Sequence, residues 1–370
     1  MALDNLSIVL SERPTGEIVP GTTFAQKIAP APTSADLKDG EILVEALYLS
    51  LDPAMRAWLN DVRSYIPPVQ IGEVMRGASV CRVLASKSKQ ATAGDYVCGF
   101  TGWTQYAVLR EGAFEPTANY PGLKEPKDML SVLGMTGLTA WVGMTKIGEP
   151  KAGETVVVSG AAGATGSIAG QIAKINGARV VGLAGSDDKC KWLVEELGFD
   201  VALNYKDADF KEKFKEATPK YIDVYFDNGE LISKVIQPKP AIPLTNGYSV
   251  GGEILNMCLA RAKEHSRFVM CGGISQYNSS DPQGPSNISR IITMRIKMQG
   301  FIVFDHIKDY GKARQQLSQW VSEGKIKKTE HILTGGLKVA EQGLVDLYKG
   351  SNTGKLLVEV KNPNETPSKL

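Results

Sequence analysis

The chain is expected to fold as an α/β protein, a doubly wound parallel sheet joined to a second domain rich in strands. Three observations carry that expectation. Strand and helix patterns alternate through the middle of the chain, as they do where helices cover both faces of a parallel sheet. A glycine-rich turn sits between the first of those strands and its helix. The N-terminal third, by contrast, reads as short strands separated by turn residues.

In the N-terminal third, Ile42 to Leu51 is apolar and β-prone, and Pro53, Pro67, Pro68, Gly72, Gly77, Gly94 and Gly99 punctuate the stretch after it. The character changes near Pro126. Met129 to Lys146 has few β-branched residues and predicts a helix. Glu154 to Ser159 predicts a buried strand, Ser167 to Asn176 a helix and Arg179 to Ala184 a strand. Lys189 to Leu197 predicts a helix, and Ile222 to Phe226, Phe268 to Gly272 and Lys297 to Val303 further strands. Gly252 to Ala262 is helix-like. A last segment from about Gly311 opens with a helix, Lys312 to Gly324, and closes with a strand, Lys355 to Val360. The resulting division is 1–126, 127–310 and 311–370, and 370 residues suffice for two domains.

Composition narrows the class. Apolar residues at 43% and charged residues at 22% place the chain among ordinary globular enzymes. The net charge of +2 comes without a basic tract, so neither nucleic acid nor a membrane surface is expected as a partner. No signal-peptide pattern and no apolar run of spanning length is present. The five cysteines are scattered and form no C-x-x-C pair, which suits reduced packing thiols in a cytoplasmic protein. The three histidines are far apart, without ligand spacing.

The chemistry is concentrated at Val156 to Ser167, which reads strand, tight turn, helix start. Gly160, Gly163 and Gly166 are spaced G-x-x-G-x-x-G. Glycine lets the backbone approach a ligand closely, and the free N–H groups of the following helix suit a pyrophosphate. With a second strand about 20 residues on, this is the setting of a Rossmann dinucleotide site. Whether the cofactor carries a 2′-phosphate turns on the end of that second strand. Asp187 stands where an acid binds the ribose diol, but it also suits a helix first turn with Lys189 facing a phosphate. The residues alone leave both readings open.

Several motifs are missing. There is no zinc-ligand cluster, no G-x-S-x-G elbow, no phosphate loop of the GxxxxGK[ST] kind and no Tyr-x-x-x-Lys pair. A hydroxyl donor, from tyrosine or the cofactor ribose, is then the simplest acid for a hydride acceptor.

Segments along nearly the whole chain resemble the zinc-independent medium-chain reductases that include the prostaglandin/leukotriene reductases, plant alkenal double-bond reductases and fungal relatives. They are Leu49 to Arg56 (LSLDPAMR), Gly134 to Trp141, Val158 to Ser167, Val180 to Lys189, Val224 to Asn228, Cys271 to Asn278 and Gly350 to Lys355. The resemblance implies a GroES-like catalytic domain, completed by the C-terminal segment, with a Rossmann NADP domain inserted and the cofactor in the cleft between them. It implies a cofactor site at Gly163, Ala164, Thr165, Gly166, Ser167, Lys189, Tyr205, Asn228, Cys271, Gly272, Tyr277, Phe301, Val303 and Asn352. Lys189 would grip the 2′-phosphate, which favours NADPH. The implied reaction is hydride transfer to the β-carbon of an α,β-unsaturated aldehyde or ketone, with Tyr277 donating a hydrogen bond to the developing enolate oxygen. Tyr65 would face the substrate. Ala54 stands where relatives often carry tyrosine, so a wider pocket is expected. The resemblance also suggests a homodimer.

One segment departs from the family. Gly229 to Ser249, with Pro238, Pro240 and Pro243, separates Asn228 from Val250, where relatives read straight through. Connections of that kind usually take about 2–6 residues. Gly229-Glu230-Leu231, Leu244-Thr245 and Ser249-Val250 all permit codons of a splice donor, branch point and acceptor, and a translated intron is expected, with a surface loop as the alternative. Either way a poorly ordered protrusion and weakened cofactor binding are expected there. Two other functions stay open: an NADPH quinone reductase, and a cofactor-binding protein with little or no catalysis.

Overall fold

The computed structural model describes residues 3–229, 250–273 and 285–370. The N-terminal part holds β1 (Asp4–Leu10), β2 (Phe24–Pro30), β3 (Glu41–Ser50), β4 (Ser79–Ser86), β5 (Tyr96–Gly99), β6 (Tyr106–Arg110) and β7 (Phe114–Pro116). After α1 (Met135–Val142), strand and helix alternate: β8 (Thr155–Val158), α2 (Ala164–Ile175), β9 (Arg179–Ala184), α3 (Asp187–Glu195), β10 (Val201–Asn204), α4 (Phe210–Ala217), β11 (Ile222–Gly229), α5 (Val250–Ala260), β12 (Ala262–Gly273), α6 (Arg290–Thr293) and β13 (Lys297–Gly300). The chain closes through α7 (Tyr310–Ser322), β14 (Glu330–Leu333), α8 (Ala340–Tyr348) and β15 (Lys355–Glu359).

Among the described residues β8 to β13 form one six-stranded sheet in the order β10-β9-β8-β11-β12-β13, every pairing parallel. Numbered from its own first strand, that order is 3-2-1-4-5-6, and it reverses direction between β8 and β11, where such sheets bind dinucleotides. The second large sheet runs β14-β15-β3-β4-β5-β7, with β6 also on β3. Its β15 pairs antiparallel with β3, Leu357 opposite Ser50. The end of the chain therefore completes a sheet begun by the N-terminal part. Among the described residues no helix is long and apolar enough to cross a membrane, and none of the five cysteines forms a disulfide.

The two sheets share one core. Val156 and Val158 of the parallel sheet and Leu47 and Val80 of the second belong to a single buried cluster, with Leu138 and Trp141 of α1 and Leu317 and Trp320 of α7 between them. Burying each such side chain fully contributes about 1.5–3 kcal/mol, so this joint is a substantial part of the fold. Polar groups inside it are paired, as burial requires. Arg314 of α7 forms an ion pair with Glu115 at 2.7 Å and donates from Nε to the Leu133 carbonyl at 3.0 Å.

Several element bounds differ from the sequence expectation. The helix expected from Met129 to Lys146 begins only at Met135, because the chain first turns back on itself. A Cβ on Gly137 would lie 1.8 Å from the Val132 carbonyl oxygen, a fold-back only glycine tolerates. The helix expected from Ser167 begins three residues earlier, directly at the glycine turn. The strand expected to run to Val303 stops at Gly300, and Val303–Asp309 coils into a 3-10 turn instead. The segment 230–249 lies outside the described residues; its neighbour Gly229 is the last residue of β11.

Candidate cofactor and substrate cleft

β8 ends in a turn that places Gly160 at φ +55°, a conformation natural to glycine. The turn is packed backbone to backbone. A Cβ on Gly160 would stand 2.2 Å from the Asn228 carbonyl oxygen, and a Cβ on Gly166 would stand 2.3 Å from the Gly160 oxygen. Two of the three motif glycines thus serve the meeting of β8 with β11 and of α2 with β8. Gly163 is the N-cap of α2, and no side chain caps that end, so its first N–H groups suit an anionic group.

The end of β11 is fixed beside this turn. The Asn228 N–H donates to Ser159 Oγ at 2.9 Å, and Ser159 Oγ donates to Asp227 Oδ1 at 3.1 Å. Burial raises the Asp227 carboxyl above its usual range.

Opposite the turn lies the C-terminal segment. The Gly354 N–H donates to the Ala162 carbonyl at 2.9 Å, and Gly163 and Gly354 form a parallel bridge. A narrow groove of about 80 Å³ runs between them, lined by Gly160, Gly163, Ala164, Thr165, Asn228, Gly350, Asn352 and the Asp52–Pro53 corner, among others. The Asn352 side chain is buried and donates to the Gly354 carbonyl at 2.7 Å. Lys355 is buried beside Asp52, forms an ion pair with it and donates to the Leu51 carbonyl at 3.0 Å.

The groove opens into a larger cleft of about 490 Å³ through shared residues that include Asp52, Thr136, Thr165 and Asn228. Ala54, Tyr65, Cys271, Gly272, Phe301 and Val303 all line it. Tyr65, Phe100 and Phe304 stand together on its wall, with ring centroids 6.4 Å apart for Tyr65–Phe304 and 6.5 Å for Phe100–Phe304. The Tyr65 hydroxyl accepts from Trp58 Nε1 at 2.8 Å. Burial raises its phenol, which keeps it protonated through neutral pH. Arg314, Glu115 and Tyr120 line the cleft elsewhere, the guanidinium 4.0 Å from the Tyr120 ring centroid.

The expected residues separate by where the structure places them. Gly163, Ala164, Thr165, Asn228 and Asn352 converge on the groove, and Ala54, Tyr65, Cys271, Gly272, Phe301 and Val303 on the cleft. Lys189 and Tyr205 gather off both, at the end of β9: a Cβ on Gly185 would meet the Tyr205 hydroxyl at 2.6 Å, and Lys189 Nζ donates to the Gly350 carbonyl at 2.7 Å. Gly166 and Ser167 line neither space; Ser167 Oγ donates to the Ala164 carbonyl at 3.1 Å. Tyr277 lies outside the described residues. Sequence reasoning missed Asp52 and Thr136, although both sit inside the quoted motifs. It also missed Phe100 and Phe304, for which the sequence holds no local signal.

A family model described as the N-terminal domain of oxidoreductase matches residues 7–116. One described as zinc-binding dehydrogenase matches 164–230, which is α2 to β11 of the parallel sheet. Among the described residues no three His, Cys, Asp or Glu side chains stand together as a metal site. The chain is 40% identical to prostaglandin reductase 1 of Bos taurus, over 87% of this chain and 90% of that one. It is 36% identical to the 2-alkenal reductase (NADP(+)-dependent) of Nicotiana tabacum, over 86% and 87%. The structure of CurA in complex with NADPH from Vibrio vulnificus superposes with a TM-score of 0.84 at 37% identity, covering 97% of this chain and all of that one. The chain belongs to the zinc-independent medium-chain reductases of the prostaglandin and alkenal reductase family. As in that family's expected plan, a strand-rich N-terminal part and a parallel dinucleotide sheet face one cleft.

Proposed function

We propose that this reductase uses NADPH to reduce the C=C bond of α,β-unsaturated aldehydes and ketones. The observation that carries the reading is the continuity of the two spaces: a backbone-lined groove at the sheet's reversal point opens directly into a wide, largely apolar cleft. The residues present fit the cofactor. The uncapped start of α2 suits a pyrophosphate, and the side-chain-free approach over Gly160 and Gly163 leaves room for it. Lys189 supplies a cation at the end of β9, where a 2′-phosphate would lie.

When bound, NADPH supplies the hydride that reaches the substrate's β-carbon. The chain's own part is placement. Asn228 and Thr165 border both spaces and hold the reacting ends in register. Tyr65, Phe100 and Phe304 give the conjugated carbonyl an apolar wall. Tyr277 is assigned the hydrogen bond to the enolate oxygen on the family resemblance, and Ala54 the extra width. In this reading residues 127–310 hold the cofactor, while 1–126 and 311–370 form the substrate side. A second copy is proposed to pair along β13, which ends the sheet order; Ile292 just before it is 78% exposed.

The test is NADPH oxidation with a 2-alkenal, an aryl enone and a quinone. Turnover of the 2-alkenal and enone, with the C=C bond reduced in the product, is expected. Turnover of the quinone alone would assign the cleft to quinone reduction, and bound NADPH without any turnover would leave a binding protein.

A further inference from the structure

β3 ends at Ser50, and the chain passes through Leu51 and Asp52 into the 3-10 turn Pro53–Leu59. The residue before a proline is held extended, and Asp52 is, at φ −132° and ψ 138°. An aspartate in that place ordinarily caps the turn it precedes. The Asp52 side chain makes no capping bond. Its carboxylate accepts from Ser50 Oγ on one oxygen and from Lys355 Nζ, at 2.5 Å, on the other. The same ammonium donates to the Leu51 carbonyl at 3.0 Å, and the Leu51 N–H donates to the Leu356 carbonyl at 3.2 Å. The start of β15 thus fixes this corner through both side chain and backbone.

The corner stands where the two spaces meet. Asp52, Pro53, Thr136, Thr165 and Asn228 line both groove and cleft, and Asp52 is the charged residue among them. Its side chain is 33% exposed against 4% for Lys355. A carboxylate has about four acceptor places, of which Ser50 and Lys355 fill two. A bare carboxylate beside a pyrophosphate would repel it; Lys355 cancels that charge and leaves the acceptor in place. A dinucleotide with its phosphates in the groove and its ring in the cleft passes this corner with its nicotinamide riboside half. That half carries a carboxamide N–H and ribose hydroxyls as donors. We propose that Asp52 accepts a hydrogen bond from the nicotinamide riboside half of NADPH and so fixes the hydride-bearing ring between groove and cleft. The inference rests on the reading that puts the phosphates in the groove, and it holds whatever carbonyl the cleft takes.

Asp52→Asn keeps the shape of the side chain and an oxygen for Lys355, but removes one acceptor oxygen. Equilibrium titration should compare NADPH with 2′,5′-ADP, which keeps the adenosine 2′-phosphate and lacks the nicotinamide riboside. In the variant, NADPH affinity should fall about 30-fold, while 2′,5′-ADP affinity stays within about twofold. Equal losses for both ligands, or unchanged affinity for NADPH, overturn the proposal. Ser50→Ala spares the carboxylate and removes one of its two anchors, so it should show the same selective loss at about threefold. It serves also if Asp52→Asn does not fold, and an equal loss of both ligands in it overturns the proposal again. The 3-acetylpyridine analogue of NADPH separates the two donors, because its ketone offers no N–H. Equal binding of this analogue by wild type and Asp52→Asn assigns the bond to the carboxamide, and a loss as large as that for NADPH assigns it to a ribose hydroxyl. A wild-type enzyme that binds neither NADPH nor 2′,5′-ADP overturns the groove reading and Asp52's part with it.

Discussion

The two walls of the cleft are built in different ways. The wall proposed for the cofactor is made of backbone: Gly160 and Gly166 bring β8, α2 and β11 within contact distance, and the chain from Gly350 to Gly354, bridged to Gly163, closes the other side. The wall proposed for the substrate is made of side chains from separate loops, with Tyr65, Phe100 and Phe304 drawn from three places far apart in sequence. A backbone wall tolerates almost no change, since any added carbon meets another strand. A side-chain wall trades one residue for another at modest cost, which is how one reaction can be fitted to different substrates.

The sharpest way to break that contrast is Gly160→Ala. The new Cβ would stand 2.2 Å from the Asn228 oxygen in a backbone at φ +55°, and strain of this sort costs about 3 kcal/mol. NADPH affinity should fall at least about 100-fold, read by fluorescence titration, and the melting temperature should drop with it. Near-normal affinity and stability would show that the backbone wall is not rigid.

Lys189→Ala tests the cofactor side through a charge. A charge-assisted hydrogen bond is worth about 1.5–3 kcal/mol, so KM for NADPH should rise about 30-fold while KM for NADH stays near its starting value. If both rise together, Lys189 supports the loop at Gly350, to whose carbonyl it donates, and does not select the phosphate.

The same contrast explains what could be read in advance. Glycine spacing is local and dictated by backbone sterics, so the turn at Gly160 was legible, as was the alternation that makes a parallel sheet. Of the residues that turn opposes, Asn228 was legible only through the family resemblance, and Gly354 was not, because it reaches the turn only through the strand order. Tyr65 and Ala54 were legible only through the family resemblance; a tyrosine or alanine has no spacing that marks it as a cleft residue. Phe304 was hidden because the strand pattern from Lys297 was expected to run on to Val303, whereas Phe304 belongs to the 3-10 turn beyond β13. Short elements such as β10 and β14, four residues each, have too few positions to display a period. The segment 229–249 stood out against the family pattern, but all of it beyond Gly229 lies outside the described residues.

On the substrate side, Ala54→Tyr should act as a filter and leave the machinery intact. It narrows the cleft beside Tyr65. Pocket discrimination on size is worth about 1–3 kcal/mol, so kcat/KM for a bulky aryl enone should fall about tenfold. That for a short 2-alkenal should hold within about twofold. Equal losses for both would move the large-substrate end of the cleft away from Ala54.

The smallest effect concerns Cys271, which lines the cleft at the end of β12. Burial, and then the nearby Asp227 carboxylate, push its thiol up to about 12. Conjugated carbonyls alkylate thiolates, so a cleft proposed to admit them is safer with this thiol protonated. At pH 7.5 iodoacetamide should label Cys271 at least about 100-fold more slowly in the folded enzyme than in the denatured chain, where a cysteine ionises near 8.5. The stability consequence has a definite sign. A thiol with a raised folded pKa contributes stability that is complete below the unfolded value and is lost as pH climbs from there towards about 12. The melting temperature of the wild type should therefore fall more steeply above pH 9 than that of Cys271→Ala, by a few degrees at most. Identical alkaline slopes, or rapid labelling of the folded enzyme, would place the thiol in water and remove the protection that the side-chain wall is credited with.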